Sequence, residues 1–373
     1  MNPRNRSAKR LAAALMSIGL AGTLALSACS TNGTTPSSPG GSDPAAPNGA
    51  DNYGLVLSLR DISNPYHVSM IQGAELFGEF IGKEVTILAN DGDSQKQMSQ
   101  IQTLVAGGSV PILAVEAQTS SDARPIVEAV VEAGGYVVTL MNKTEDFWPE
   151  SVGDNWVAHI TFDNVVAGHD IATALFDKMG GKGGVLALRG ILDTPTDQAR
   201  WIGLEKALAE YPDIELLDVQ TADFRRDLGF EVTETLLNKH GGAVGAIWSS
   251  NDDMALGAYE ALKKAGRDGD IYLAGVDGTP EAIELILEEK SGFVATVSPD
   301  AAWQGGAGLA LAHQAATGKI KVADIPTAER SFNAKQFLVT SGNAADFLRE
   351  PTMEDLKADF ESPLARFVSA VER

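Results

Sequence analysis

From Tyr53 onward, short apolar runs alternate with longer stretches whose apolar residues recur every three or four positions. GLVLSL (Gly54 to Leu59) predicts a buried strand. The helix expected next, over Pro65 to Phe80, places Val68, Ile71, Leu76 and Phe80 near one face. EVTILAN with a helix after Asp93, PILAV with a helix around Ile126 to Glu132, and YVVTLM (Tyr136 to Met141) continue the alternation. It pauses at Asn142 to Asn155, a loop carrying Trp148, with Trp156 at its far edge. Then it restarts with VAHITF, a helix over Val165 to Met179, GGVLALRG, a helix over Asp197 to Glu210, and IELLDVQ. A helix over Asp227 to Asn238, AVGAIWS, a helix over Asp253 to Ala265, DIYLAGVD, a helix around Glu281 to Glu288 and FVATVS follow. Continuous apolar strands separated by helices imply a parallel sheet covered on both faces. The pause divides the pattern into two similar α/β halves.

The ending bears on how the halves connect. A helix over Ala301 to Thr317 and an extended piece, KQFLVTS, follow FVATVS. Two interleaved lobes joined by several crossings would use these pieces to return to the first lobe and back, and such hinged pairs close around ligands. The division expected is 51–161 with about 300–326 in lobe 1 and 162–299 with about 327–345 in lobe 2. The stretch 346–373, partly helical over Met353 to Ala370, has no assigned place.

The first residues speak to compartment. Arg4, Arg6, Lys9 and Arg10 precede an uncharged apolar run, Leu11 to Ala28, of the length of an export signal and marginal for a membrane span. LSAC, ending at Cys29, resembles the bacterial lipobox, whose cysteine is lipidated and becomes the first mature residue. Cys29 is the only cysteine of the chain, so lipidation also accounts for an exported thiol with no disulfide partner. The segment 1–28 is therefore read as a lipoprotein signal peptide. Ser30 to Ala50 holds no aromatic and no large aliphatic residue, so it cannot offset the entropy of ordering. Residues 29–50 read as a disordered tether, reaching roughly 25 Å on average. The expected location is the extracytoplasmic face of the cell membrane. With 29 basic against 50 acidic residues the net charge is −21, which disfavours nucleic acid and anionic lipid as partners.

In open α/β sheets, ligands sit beyond the carboxyl ends of the strands. The polar residues there are Asp61, Ser63, Asn64, Tyr66 and His67; Asn142; Asp163 and Asn164; Asp193, Thr194 and Arg200; Asp223 and Arg225, with Phe224 between them; Asn251, Asp252 and Asp253; and Asp277. Carboxylates and amides that accept from hydroxyls, an arginine that donates in pairs and aromatics for C–H faces are what neutral polyols need.

Five strings in order, SNPYHVSMIQGAEL (Ser63 to Leu76), FDNVVAGHDIA (Phe162 to Ala172), TADFRRDLGFE (Thr221 to Glu231), SSNDDMALGAYEAL (Ser249 to Leu262) and LAGVDGTPEAI (Leu273 to Ile283), carry a family resemblance. They closely resemble the ribose-type branch of the periplasmic sugar-binding proteins, the type I fold shared with lactose-repressor-like regulators. The likeness runs from about Tyr53 to Thr340. It implies an α/β fold of two interleaved Rossmann-like lobes with parallel sheets and a multi-strand hinge. It also implies a monomeric protein without cofactor, delivering its ligand to ABC permease subunits with a cytoplasmic ATPase. Residue by residue it implies ligand contacts at Asn64, Tyr66, Arg200, Phe224, Asn251 and Asp277, to which His67, Asn142 and Asp163 are added. Where ribose-binding members carry an aspartate–arginine pair, this chain has Met141 and Asn142; the second stacking aromatic is His67; and the family's final glutamine falls at Pro299 or Asp300. These departures shift the expected ligand from ribose to a tetritol, pentitol or pentose.

Structural roles compete for several of these residues. Asn64 before Pro65 is also a good helix cap, Asp252 reads as a cap, and Asp163 is balanced between capping or hinge support and ligand contact. Trp248 reads as core. The five histidines show no metal-ligand spacing, and GGKGG (Gly180 to Gly184) precedes a strand, where a phosphate cradle would follow one. No hydrolase motif stands out, so no enzyme is expected. A ligand sensor presenting closed lobes to a receptor is the alternative to an importer component.

Overall fold

A computed structural model of the chain describes residues 52–288 and 290–373. The expected signal peptide over 1–28, the tether over 29–50 and the lipidation site Cys29 lie outside the described residues. The chain opens with β1 (Tyr53–Leu59), α1 (Pro65–Ile81), β2 (Val85–Ala89), α2 (Ser94–Ala106), β3 (Val110–Glu116), α3 (Ala123–Glu132), β4 (Tyr136–Leu140) and β5 (Trp156–Thr161). It crosses to a second lobe of α4 (Asn164–Lys178), β6 (Lys182–Arg189), α5 (Pro195–Glu210), β7 (Asp213–Thr221), α6 (Arg226–His240), β8 (Val244–Ser249), α7 (Asp252–Ala265), β9 (Tyr272–Val276), α8 (Pro280–Leu287) and β10 (Phe293–Ser298). The remainder is α9 (Ala301–Ala316), β11 (Ser331–Ala334), β12 (Phe337–Thr340), α10 (Met353–Glu361) and β13 (Phe367–Ala370).

The first sheet runs β13-β11-β5-β4-β3-β1-β2 and the second β12-β10-β9-β8-β6-β7. All pairings are parallel except β13 on β11 and β12 on β10, both at sheet edges. The apolar strands that helices flank on both sides are buried throughout: Leu55, Leu57, Leu113, Val115, Val138 and Ile160 in the first lobe, Leu186, Leu188, Ile247 and Leu273 in the second. Trp248 lies in the core of the second lobe, with its Nε1 donating to the Gly168 carbonyl at 3.1 Å. Trp156 is likewise core. It packs on Phe147 with ring centroids 4.3 Å apart and donates to Thr139 Oγ1, while Trp148 lies against Lys143 and Arg373.

After β10 the chain returns to the first lobe. There α9 packs on α1 so closely that a side chain at Gly73 would strike the Ala302 backbone, its first carbon only 1.7 Å from the carbonyl oxygen. The second lobe's later piece starts further along than the sequence division over about 327–345. Ser331–Ala334 pairs in parallel with β5 and belongs to the first sheet, and only Phe337–Thr340 pairs with β10. SFNA is a four-residue strand with no alternation of its own, so periodicity could not assign it. The tail makes one more crossing. Its turn at Ala344–Asp346 lies against α8, whereas α10 packs on α1 and α9 and β13 closes the edge of the first sheet.

Candidate ligand-binding site

The two sheets present their carboxyl ends to one another, as the switch-point rule for open α/β sheets requires. Between them is a cavity of about 40 Å³ lined by Arg60, Asn64, Tyr66, His67, Glu116, Met141 and Asn142 from the first lobe and Thr196, Arg200, Phe224, Asn251 and Asp277 from the second. Of the nine residues expected to touch ligand, all but Asp163 are in this lining. Asp163 sits at the first crossing, where its Oδ1 accepts from Val166 N at 3.0 Å and caps α4, so it is set apart from the cavity. Of the two roles held open for Asp163, the structure shows the cap. Arg60, Glu116, Met141 and Thr196 were not proposed as contacts from sequence. Glu116 could have been, since it ends β3 as Asp277 follows β9.

Capping and cleft roles are combined in two asparagines. Asn64 Oδ1 accepts from Tyr66 N at 2.9 Å and starts α1, while its Nδ2 donates across the cleft to the Phe224 carbonyl at 3.5 Å. Asn251 Oδ1 accepts from Met254 N at 3.0 Å at the head of α7, and its Nδ2 donates to Asp277 Oδ2 at 3.3 Å. Each amide is held by its own helix and turns its other end to the site. Asp252, read from sequence as the cap, is instead buried behind it. Its Oδ2 accepts from Thr279 N, Thr279 Oγ1 and Thr296 Oγ1 at 2.9 to 3.1 Å.

Arg200 is fixed in the second lobe by Nε donating to Asn164 Oδ1 at 3.0 Å and Nη1 donating to the Ser250 carbonyl at 2.6 Å. This leaves Nη1 3.9 Å from Asp277 Oδ1. Burial pushes the Asp277 carboxyl well above its ordinary value, only partly offset by Arg200. Across the cavity, Glu116 Oε2 lies 3.1 Å from His67 Nε2 and Oε1 lies 3.7 Å from Arg60 Nη2. Burial works to raise the Glu116 carboxyl, but these two neighbours more than compensate and hold it below the ordinary range. Gln97 fixes the Glu116 backbone from below, donating to its carbonyl at 2.9 Å and accepting from Gln118 N. Tyr66 donates its hydroxyl to Gln304 Oε1, and desolvation raises that hydroxyl well above the usual tyrosine value.

Met141, Phe224 and Asp277 all carry positive φ, at 60°, 60° and 141°. Such backbone costs of order 1–3 kcal/mol per residue and concentrates at binding sites. The lobes also touch directly. Ser120 Oγ donates to the Asp193 carbonyl at 2.9 Å and Thr196 Oγ1 lies 3.5 Å from Asn142 Oδ1, so the cleft is described in a closed arrangement. Among the described residues no group of three or more His, Cys, Asp or Glu is placed to hold a metal ion, and no helix is long and apolar enough to cross a membrane.

The periplasmic binding protein domain family matches residues 55–320. The D-allose-binding periplasmic protein of Escherichia coli (strain K12) is 31% identical over 256 residues, 68% of this chain and 81% of that protein. The ribose import binding protein of Salmonella typhimurium is 31% identical over 250 residues, 67% of this chain and 80% of that protein. Among solved structures, a twin-arginine translocation pathway signal protein from Burkholderia phytofirmans superposes with a TM-score of 0.83 at 36% identity. That match covers 86% of this chain and 99% of the other.

Proposed function

The chain belongs to the periplasmic binding protein domain family, and from that premise we propose that it captures a small neutral sugar or sugar alcohol outside the cytoplasm for an ABC importer. It is a solute-binding protein and not an enzyme. The observation that carries the ligand class is the pairing of donors and acceptors from both lobes. Arg60, Glu116, Asn64 and Asn142 stand on one side, and Arg200, Asp277, Asn251 and Thr196 on the other, around one cavity. Hydroxyl groups both donate and accept, so they satisfy such a lining, whereas an apolar solute would leave it unpaired. The ligand size, four or five carbons as in a tetritol, pentitol or pentose, is read from the departures at Met141, Asn142 and His67 from the ribose-type pattern.

Ligand bridging the two sides stabilises the closed lobes, because its contacts to the second lobe exist only there. The protein acts as a monomer tethered through lipid at Cys29, and the closed form docks on permease subunits driven by a cytoplasmic ATPase. A thermal-shift screen of the purified protein with tetritols, pentitols, pentoses, hexoses and hexitols tests this reading. A concentration-dependent rise in melting temperature is expected with a four- or five-carbon compound, and Asp277→Ala and Arg200→Ala abolish it. No rise with any of them would sink the sugar or polyol reading.

A further inference from the structure

Recognition of a cyclic sugar by an aromatic side chain needs an open ring face for the sugar's C–H surface. Phe224 is the aromatic that the second lobe brings to the cavity, and its ring is already engaged from both lobes. On its own lobe the ring rests against the backbone of Gly190, where a first side-chain carbon would fall 2.1 Å from two ring carbons. From the first lobe the Arg60 guanidinium stands over the ring, 5.5 Å from its centroid. Tyr66, the other aromatic of the lining, meets His67 edge to face at 5.6 Å and has its hydroxyl committed to Gln304.

Arg60 is not loosely placed. Its Nε donates to Gln118 Oε1 at 3.1 Å, its Nη2 reaches the Gln118 carbonyl at 3.4 Å, and the same Nη2 faces Glu116. Glu116 is buried and is held from its other oxygen by His67. A sugar ring seated on Phe224 has to displace the guanidinium and strip a buried carboxylate of a partner, which is costly in proportion to burial. An extended polyol needs no stacking face. It presents hydroxyls at both ends, one for Arg60 and Glu116, the other for Asp277, Arg200 and Asn251.

We propose that the Arg60–Glu116 pair is the specificity determinant of this cleft, selecting an acyclic polyol of four or five carbons over the cyclic pentose of the same configuration. The inference rests on the reading of the cavity as a sugar or polyol site. The test is calorimetric titration of the purified protein with erythritol, ribitol, xylitol, ribose and xylose. Wild type binds one of the polyols at least tenfold more tightly than the matching pentose. Arg60→Ala, which leaves the buried Glu116 carboxylate with His67 alone, lowers the unliganded melting temperature by several degrees, and the polyol-to-pentose affinity ratio falls at least tenfold as the guanidinium over the ring is removed. Glu116→Gln, which keeps shape and removes charge, weakens polyol binding at least tenfold. A wild type that binds the pentose as tightly as the polyol, or an unchanged ratio in Arg60→Ala, overturns the proposal and leaves the sugar or polyol reading intact. Absence of binding to all five compounds, together with no response in the broader screen, overturns both.

Discussion

Arg366 ion-pairs with Asp300, 66 residues earlier, at the crossing where the chain returns from the second lobe to the first. Asp300 has φ of 55° and caps α9 by accepting from Trp303 N at 3.2 Å. The same arginine is held by Asp359 of α10, and its backbone carbonyl accepts from Lys335 N at 3.0 Å, at the next crossing. One residue of the tail therefore ties two of the hinge segments to the first lobe, one through its side chain and one through its backbone.

Arg366→Ala removes both ion pairs at a site between surface and interior. Exposed pairs contribute up to about 1 kcal/mol and buried ones several, so a loss of about 1–2 kcal/mol is expected. Chemical denaturation of the unliganded protein reads this as a lower midpoint. An unchanged midpoint would show that the tail is decoration.

The direct contacts between lobes set how much closure costs before any ligand is counted. Ser120→Ala deletes the bond to the Asp193 carbonyl without touching the cavity lining. A neutral hydrogen bond contributes about 1 kcal/mol net, so ligand affinity falls about fivefold while the bound pose is kept. Titration calorimetry decides. An affinity equal to wild type would mean that the bond does not distinguish open from closed states.

The two parallel sheets were legible because their strands are buried on both faces and so read as unbroken apolar runs. Ser331–Ala334 and Phe367–Ala370 were not, because strands of four residues carry no period and owe their conformation to the partners they pair with. Family motifs placed Asn64, Arg200, Phe224, Asn251 and Asp277, and the structure brings them to one cavity. Arg60 was invisible because it enters the site through a loop. Its role depends on Glu116 and Gln118, more than fifty residues away in sequence and adjacent only after β1 and β3 pair. For Asp163 the sequence leaves two roles open, because a cap and a ligand contact use the same residue type at the same end of a helix.

Gly190→Ala tests whether the seat of Phe224 matters to binding. The added methyl meets the ring at 2.1 Å, and the ring must move toward the cavity because Gly190 lies behind it. Overpacking of this kind costs typically 1–3 kcal/mol. Ligand affinity is expected to fall at least tenfold, with a melting temperature lowered by only a few degrees. Preserved affinity would indicate that Phe224 takes no part in holding the ligand.

Asp252 makes a pH-dependent contribution whose sign follows from its burial. Desolvation raises its carboxyl to about 6 against an ordinary 3.8, in spite of the bonds from Thr279 and Thr296 and the nearby Arg200. The folded protein thus keeps a proton that the unfolded chain releases. The stabilisation this gives is present below pH 4 and is lost as pH rises to and through about 6. At about 1.4 kcal/mol per unit the loss is on the order of 3 kcal/mol. Other carboxylates titrate over the same range, Glu116 and Asp61 in the opposite direction, so the comparison to make is with Asp252→Asn, which stays neutral. Denaturation at pH 4 and pH 7.5 is expected to show the variant gaining on wild type by a few kcal/mol across that interval. A gap that does not change with pH would mean that the Asp252 carboxyl titrates alike in the folded and unfolded chain.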